Sequence, residues 1–287
     1  MIDIHTHLGR WPLSGDPEVT EAELLRQMDA LGIERMAILP LDMTPECSVI
    51  SPDTDATLAA SRRHPGRFIP FCNPDPRFNN SPDTDFSLLL VPWKQAGCKG
   101  LGELTANVWF DDPRCMNLYR HCGKAGLPVL FHLAVDVRYG LYGVADETGM
   151  PRLEKVLRAY PDTIFIGHAM AFWAEIAAGV DEASRGGYPK GPVTKPGRTV
   201  ELLRACPNLY GDLSAGSGFN AISRDPEFGY RFLEELQDKL FFGTDICHVN
   251  QDVPQVPYFR EALEQGRISE TCYQKITRGN AVRVLGL

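Results

Sequence analysis

Short apolar runs alternate with amphipathic segments along the whole chain. Eight of these runs lack the apolar–polar alternation of a strand with one wet face, so they read as strands buried on both faces. They cover residues 2–4, 36–39, 68–71, 98–102, 129–131, 163–167, 209–211 and 240–243. The segments between them carry apolar residues at three- and four-residue intervals, which is typical of helices. These cover residues 21–31, 55–63, 86–95, 113–124, 151–160, 198–205 and 230–236.

This alternation, repeated eight times, favours a closed parallel barrel over an open sheet. The chain has 287 residues, and such a barrel needs about 250. We therefore predict an α/β fold, a (β/α)8 TIM-like barrel, as a single domain over residues 1–287. Residues 256–263 and 270–276 predict further helices, and residues 278–286 predict a closing helix on the outside of the barrel.

Two irregular stretches interrupt the alternation. Residues 186–197 are rich in Gly and Pro and follow the sixth strand, which predicts a loop over the mouth of the barrel. Residues 136–150 form an insertion after the fifth strand that contains Arg138, Tyr139 and Tyr142. Because loops carry the specificity of a barrel enzyme, the sequence does not identify the substrate.

Composition places the chain among soluble globular proteins. Hydrophobic residues make up 44% and charged residues 23%, and no apolar stretch approaches the roughly 20 residues of a membrane-spanning helix. Asp3, His5 and His7 interrupt any secretory signal, so we expect a cytoplasmic protein without a membrane partner. The net charge of −8 argues against a large phosphate-binding surface, and we expect no nucleic-acid partner.

The cysteine pattern points to reduced, structural thiols. Eight cysteines show no CxxC spacing, and several lie within predicted strands or helices. Cys247 stands two residues after Asp245 and is a candidate nucleophile, although the sequence offers no base partner for it.

Metal-capable side chains stand at the ends of predicted strands. His5 and His7 share a face of the first strand with Asp3 behind them, because alternate residues of a strand point the same way. Further candidates end later runs: Glu103, His132, His168 and Asp245. The carboxyl ends of barrel strands converge on one mouth, so we expect these side chains to meet there. Imidazole and carboxylate ligands suit zinc, manganese or iron, whereas calcium prefers oxygen ligands.

The order and spacing of these residues resemble the amidohydrolase superfamily, and most closely its amidohydrolase-related (type 2) branch of metal-dependent TIM-barrel hydrolases. The matching segments are Asp3-Ile-His5-Thr-His7, Lys99-Gly-Leu-Gly-Glu103, Phe131-His132, Gly167-His168, Gly243-Thr-Asp245 and Gly279-Asn-Ala-Val-Arg-Val-Leu-Gly286. The resemblance spans the whole chain. It implies that His5, His7, His132 and Asp245 are metal ligands, and that His168 is either a second-metal ligand or a catalytic acid/base.

Glu103 departs from the carbamylated lysine that the superfamily often has at the fourth strand. It is similar to the bridging carboxylate of the metal-dependent deoxyribonuclease branch, which often holds two metals, whereas the type 2 decarboxylases usually hold one. The resemblance therefore implies one or two divalent ions, with zinc as the first choice and manganese or iron as alternatives. By position alone, Glu103 is also able to cap the next helix or pair with an arginine such as Arg10.

The predicted function is metal-dependent hydrolysis of an amide, ester, lactone or phosphate bond in a small molecule, by a metal-activated water. Asp245 is the candidate proton shuttle and His168 the second catalytic candidate. The alternative is a decarboxylase or hydratase of the same family that acts on a carboxylated substrate; a binding protein without turnover is disfavoured, because an open ligand-rich mouth serves no structural purpose. A homodimer is an option, since dimers are common in such families. Candidate substrate-binding residues are Arg10, Trp11, Arg138, Trp173 and His248.

Overall fold

A computed structural model describes residues 1–13, 15–138 and 140–287; Ser14 and Tyr139, the latter in the insertion after the fifth strand, lie outside the described residues. The strands are Ile2–Thr6 (β1), Arg35–Ile38 (β2), Phe68–Pro70 (β3), Leu101–Leu104 (β4), Val129–Ala134 (β5), Val144–Ala145 (β6), Phe165–His168 (β7), Leu209–Asp212 (β8) and Leu240–Phe241 (β9). The helices are Glu21–Leu31 (α1), Thr54–Arg63 (α2), Ser87–Ala96 (α3), Pro113–Ala125 (α4), Pro151–Ala159 (α5), Met170–Ala174 (α6), Glu182–Arg185 (α7), Arg198–Ala205 (α8), Ala215–Ser223 (α9), Pro226–Glu235 (α10), Gln255–Glu264 (α11), Glu270–Gln274 (α12) and Asn280–Leu285 (α13).

Eight of these strands close into a parallel barrel. Two ladders, β1-β2-β3 and β4-β5-β7-β8-β9, supply its walls. At one seam the Cys72 amide donates to the Gly100 carbonyl over 3.0 Å, which joins β3 to β4. At the other seam the Asp245 amide donates to the His5 carbonyl over 2.8 Å, which joins β9 to β1. The predicted barrel is confirmed, and β6 lies outside the ring, paired with the end of β5.

The barrel interior is one apolar cluster that α13 closes from below. Inward-facing residues such as Ile4, Leu130 and Ile166 pack with Leu285 of α13. Arg283 on this helix donates to the carbonyl of Asp238, two residues before β9, over 2.9 Å, so the helix lies at the N-terminal ends of the strands. The closing helix is therefore present as predicted, but it plugs the bottom of the barrel and does not join the outer ring.

A second apolar layer lies between the strands and the surrounding helices. Ile38, Val129 and Phe165 point outward and belong to the same cluster as Met28 of α1 and Val156 of α5. Burial on both faces explains why the strands read as continuous apolar runs without alternation. Within the described ranges, no helix combines the length and the apolar character that crossing a bilayer requires.

The predicted loop over residues 186–197 lies beside the mouth. It contains no helix or strand, and the ring of Tyr188 covers Gly216 at the start of α9, just beyond the end of β8. Three short helices near it, α6, α7 and α9, were not predicted. Four of the five residues of α6, Ala171 to Ala174, are buried, so this helix has no polar face to give it a helical period.

Candidate metal centre

A register shift in β1 presents both histidines to the mouth. Asp3 and Thr6 are three residues apart, but their partners on β2 are only two apart, so β1 contains a bulge. His5 and His7 consequently face the other metal-capable side chains. The carboxylate of Asp3 turns away and accepts hydrogen bonds from the amide and hydroxyl of Thr244, over 3.0 and 2.6 Å. Asp3 thus lies behind the pair, as predicted, and ties β1 to the segment that carries Asp245.

The two histidines of β1 point their Nε2 atoms at each other across 3.1 Å. His5 Nδ1 lies 2.6 Å from Asp212 Oδ2, and His7 Nδ1 lies 2.9 Å from the carbonyl of Leu39. Both partners are acceptors, so each Nδ1 carries the proton and each neutral ring leaves an unprotonated Nε2. Two facing lone pairs at this distance are stable only when a cation or a proton lies among them.

Glu103 at the end of β4 places one carboxylate oxygen toward each side of the cluster. The pairing of β4 with β5 shifts register between Leu101 and Leu104, the stretch of the strand that contains Glu103. Its Oε2 lies 3.4 Å from His7 Nε2 and 3.6 Å from His5 Nε2. Its Oε1 lies 2.7 Å from His132 Nδ1 and 3.8 Å from His168 Nε2.

Asp245 closes the cluster from the segment that follows β9. Its backbone is left-handed, with φ of 57°, a conformation that Asp tolerates better than most residues. Its Oδ1 lies 3.3 Å from His7 Nε2, and its Oδ2 lies 3.8 Å from His168 Nε2. The side chain is 22% exposed, against 5% for that of Glu103, so Asp245 is the carboxylate that faces the solvent side of the mouth.

The electrostatics of the cluster call for positive charge at its centre. Burial alone would lower the pKa of His7, but hydrogen bonds to Asp245 and Glu103 outweigh it and raise this pKa to about 9. Burial likewise opposes a charge on His5, yet Asp245 and Asp212 raise its pKa well above the ordinary value. Burial would raise the pKa of Glu103, but the surrounding histidines hold it well below its usual range. A divalent cation meets the same demand without protons.

The donor set fits such a cation. Ligand atoms of His5, His7 and Asp245 lie within 4.8 Å of one another, and those of His5, Glu103 and His168 do the same. Imidazole nitrogens and carboxylate oxygens in this mixture suit zinc, manganese or iron. His132 belongs to neither group and reaches the cluster through its contact with Glu103.

A cavity of about 170 Å³ opens directly onto this cluster. Trp11 and His248, two of the predicted substrate-binding residues, line it with ring centroids 5.8 Å apart. Leu41, Cys47 and Tyr142 also line it and were not predicted as site residues. Tyr142 lies in the insertion whose aromatic residues the sequence singles out, and its ring centroid is 4.5 Å from that of His132. Leu41 and Cys47 lie in the segment that follows β2, and this place after a strand end is the signal that sequence reasoning missed.

Three other predicted substrate-binding residues are absent from the described lining of this cavity. Arg10 is exposed and pairs through its main chain with Ile50. The Arg138 side chain is 65% exposed, and its Nε lies 3.1 Å from Asp136. Trp173 is buried in the core, where its Nε1 donates to the Asp212 carbonyl over 2.8 Å.

Cys247 lines the cavity but lacks the environment of a nucleophile. Burial, together with the nearby charges of Asp245 and Glu103, raises the pKa of its thiol far above the ordinary value. The sulfur lies 3.6 Å from Gln251 Oε1, an acceptor and not a base that would draw off the proton. The thiol therefore stays protonated near neutral pH and is unsuited to covalent catalysis.

A closed parallel barrel with imidazole and carboxylate donors at the carboxyl ends of its strands is the arrangement expected of the family that the sequence resembles. The family model described as Amidohydrolase, of the type 2 branch, matches residues 2–287. The chain therefore belongs to the amidohydrolase family, and the resemblance is confirmed. The family is metal-dependent and includes both hydrolases and decarboxylases.

Several solved structures share this fold. An uncharacterized TIM-barrel protein from Bordetella bronchiseptica is 17% identical with a TM-score of 0.69, covering 100% of this chain and 98% of its own. A dihydroxybenzoic acid decarboxylase from Polaromonas sp., with bound manganese and 2-nitroresorcinol, is 19% identical with a TM-score of 0.61, covering 100% and 96%. A protein from Pseudomonas putida assigned as a 2-pyrone-4,6-dicarboxylic acid hydrolase is 16% identical with a TM-score of 0.61, covering 99% and 97%. A comparison with curated proteins found no significant match.

Proposed function

We propose that this protein is a hydrolase with two divalent cations that cleaves an amide, ester, lactone or phosphate bond in a small molecule. The observation that carries the proposal is the placement of Glu103. One oxygen of its carboxylate faces the Nε2 atoms of His5 and His7, and the other faces His132 and His168. A carboxylate that divides its oxygens between two groups of histidines is suited to bridge two cations, and a pair of metals is a recurrent device for hydrolysis.

The ligands divide into two groups around that bridge. His5, His7 and Asp245 would hold one ion, and His168 would hold the other, with Glu103 shared. His132 would join the second ion once its Nδ1 exchanged the 2.7 Å contact with Glu103 for the ion. Bound divalent cations lower the pKa of a water molecule toward neutrality and polarise the bond to be cleaved. Zinc is the first choice for this donor set, and the manganese of the Polaromonas decarboxylase makes manganese the second.

Asp245 is the residue suited to move the proton. Its carboxylate lines the cavity and is the more exposed of the two carboxylates in the cluster, so a substrate and its attacking water would meet it first. Neighbouring histidines offset the effect of burial and lower its pKa, so it is ionised and ready to accept a proton at neutral pH. It would then deliver that proton to the leaving group.

The cavity suits a small substrate or the reacting end of a longer one. Trp11, Leu41 and Tyr142 offer apolar and aromatic surface, whereas none of the described residues in the lining is Lys or Arg. The metal-capable cluster is therefore the main source of positive charge available to the substrate. The cytoplasmic location and the homodimer stay predictions.

Metal analysis tests the two-ion proposal. Protein purified without chelator and loaded with zinc or manganese should hold two ions per chain by elemental analysis, and Glu103→Gln should hold about one. Glu235→Gln is the matched control, because Glu235 is exposed and pairs with Arg204 between the outer helices α10 and α8, so its loss should leave both ions. One ion in the wild type would overturn the two-ion proposal.

Isotope labelling tests the reaction. A panel of lactones, esters, amides and phosphate esters, and of hydroxylated aromatic carboxylates, would be incubated with loaded enzyme in ¹⁸O-labelled water. Label in the product of any of the first four classes supports hydrolysis. Release of carbon dioxide from the carboxylates, without label in the remaining product, would replace the proposal with the decarboxylase alternative.

A further inference from the structure

Behind the histidine rings lies a buried hydrogen-bond hub at the end of β8. Asp212 Oδ2 lies 2.6 Å from His5 Nδ1 and 3.1 Å from His168 Nδ1. The hydroxyl of Ser214 donates to the same oxygen over 2.6 Å and lies 3.2 and 3.0 Å from the two Nδ1 atoms. All four residues are at most 2% exposed. The proposed site assigns His5 to one cation and His168 to the other, although the ligand atoms of His5 lie near both groups, and the two rings share one acceptor.

The contacts of the hub favour one arrangement of its protons. Asp212 accepts at both oxygens, as an ionised carboxylate does: Oδ1 accepts from the Ser214 amide over 3.0 Å and Oδ2 accepts from the Ser214 hydroxyl over 2.6 Å. The only Ser214 proton is committed to Asp212, so the hydroxyl oxygen can only accept from the rings. Both Nδ1 atoms must therefore carry protons, which leaves Nε2 of His5 and of His168 free to bind a cation.

Two further contacts show that the hub is built into the fold. Trp173 Nε1 donates to the Asp212 carbonyl over 2.8 Å and anchors the backbone at the end of β8. Gly243, on the neighbouring segment after β9, leaves the room that the hub occupies. A Cβ at that position would lie 2.6 Å from Asp212 Oδ1 and 2.8 Å from Ser214 Cβ, so any larger residue would displace the carboxylate.

We propose that Asp212 and Ser214 are positioning residues that hold His5 and His168 in the Nδ1–H tautomer and thereby couple the two cation positions. The coupling rests on the proposed two-ion function, whereas the tautomer assignment rests on the hydrogen bonds alone. The tautomer assignment also makes His168 a ligand through Nε2, since its Nδ1 is hydrogen-bonded within the hub. An acceptor behind a ligating histidine fixes the ring and strengthens its donor atom.

The first test measures metal affinity in Asp212→Asn. Both oxygens of Asp212 accept hydrogen bonds: Oδ1 from the Ser214 amide, and Oδ2 from the Ser214 hydroxyl. The side-chain amide of Asn has only one oxygen, so its NH₂ group would have to face one of these donors. With zinc as the probe, we expect the affinities of both positions to fall together by about 10- to 100-fold. Asp146→Asn is the control, since this buried carboxylate accepts the backbone amides of Glu147, Arg152 and Leu153 and is not part of the hub, so both affinities should stay unchanged.

Ser214 supplies a graded version of the same test. Ser214→Ala should weaken zinc binding less than Asp212→Asn, because the carboxylate still accepts from both rings. Ser214→Thr keeps the hydroxyl but adds a methyl group at a fully buried position beside Gly243, so its zinc affinity should lie between those of Ser214→Ala and the wild type. These variants also keep the proposal testable should Asp212→Asn fail to fold.

The decisive readout is the protonation of the rings in the zinc-loaded wild type. Long-range ¹H–¹⁵N spectra of ¹⁵N-histidine protein, assigned with single histidine variants, should show Nδ1–H for both His5 and His168. An Nε2–H signal from either ring, or unchanged zinc affinity in Asp212→Asn, would overturn the positioning role. A wild type that holds one ion but shows both Nδ1–H signals would overturn the two-ion function and the coupling, while the tautomer assignment would stand.

Discussion

The Nε2 atoms of His5 and His7 face each other across 3.1 Å, while the opposite nitrogen of each ring is held by an acceptor. This relationship is unfavourable in a neutral, empty cluster, because two lone pairs would repel each other inside a buried site. It becomes favourable once a cation accepts both. Without metal a proton must lie between the two rings, and a bound cation would replace that proton.

Removing the metal should destabilise the protein. Zinc at 100 times its dissociation constant stabilises a folded chain by about 2.7 kcal/mol, so thermal unfolding should shift upward on loading and downward after dialysis against a chelator. Differential scanning calorimetry checks this. His7→Asn should respond much less to zinc, whereas the control His121→Asn, altered on α4 outside the cluster, should respond like the wild type. Equal melting of chelated and loaded wild type would contradict a metal centre.

Asp245→Asn should abolish turnover while leaving the fold and much of the metal. An amide keeps one oxygen for the ion but no longer accepts a proton, and loss of a general base typically costs about 10²- to 10⁴-fold in rate. Steady-state kinetics and elemental analysis of the same sample check it. Asp238→Asn, on the surface beside Lys275, should keep full activity. Full activity in Asp245→Asn would refute the proton-shuttle role.

A buried ion pair beside the barrel should be costly to break. Arg185 and Glu175 are 1% and 4% exposed, and Arg185 Nε lies 2.5 Å from Glu175 Oε1. Arg185→Met leaves a buried carboxylate unpaired and should lower the free energy of unfolding by about 3–5 kcal/mol. The double variant Arg185→Met/Glu175→Leu should recover a large part of that loss, as measured by urea denaturation.

The surface pair Arg204–Glu235 is the matched control for this effect. Its side chains are 45% and 47% exposed, so Arg204→Met should cost less than about 1 kcal/mol. If Arg185→Met lowers the free energy of unfolding no more than Arg204→Met does, the buried pair contributes nothing beyond a surface contact.

Glu23 on α1 should contribute stability that acid removes. The Arg26 guanidinium lowers its pKa to about 2, against a smaller opposing effect of burial. The pKa of Glu23 in the folded chain lies below the ordinary value of 4.5. The stability that its ion pair contributes is therefore complete above pH 4.5 and is lost as the pH falls toward 2. Glu23→Gln should therefore cost about 1 kcal/mol at neutral pH, and the difference should shrink in urea titrations at about pH 3. A difference that is independent of pH, or one matched by the exposed Glu264→Gln, would contradict this origin.

Regular elements were predictable where an amphipathic period or a buried strand left a clear pattern. Helices α1 and α8 begin and end at the predicted residues. Strand β4 begins at Leu101, later than the predicted residue 98, because residues 98–100 lead into the strand before its ladder with β5 starts. Helix α9 escaped prediction, since Gly216 and Gly218 lower its helical propensity and only packing stabilises it.

The sequence by itself determined the barrel, the family and the identity of the metal-capable residues. These depend on periodicity and on motifs at strand ends, both of which are local properties of the chain. Only the tertiary structure decided how those residues face one another. The bulge that turns His5 inward depends on the register of two strands, and the hub of Asp212 and Ser214 depends on β1, β7 and β8 meeting at one point. A hydrogen bond between residues more than 200 positions apart leaves no local signal, because folding alone brings its partners together.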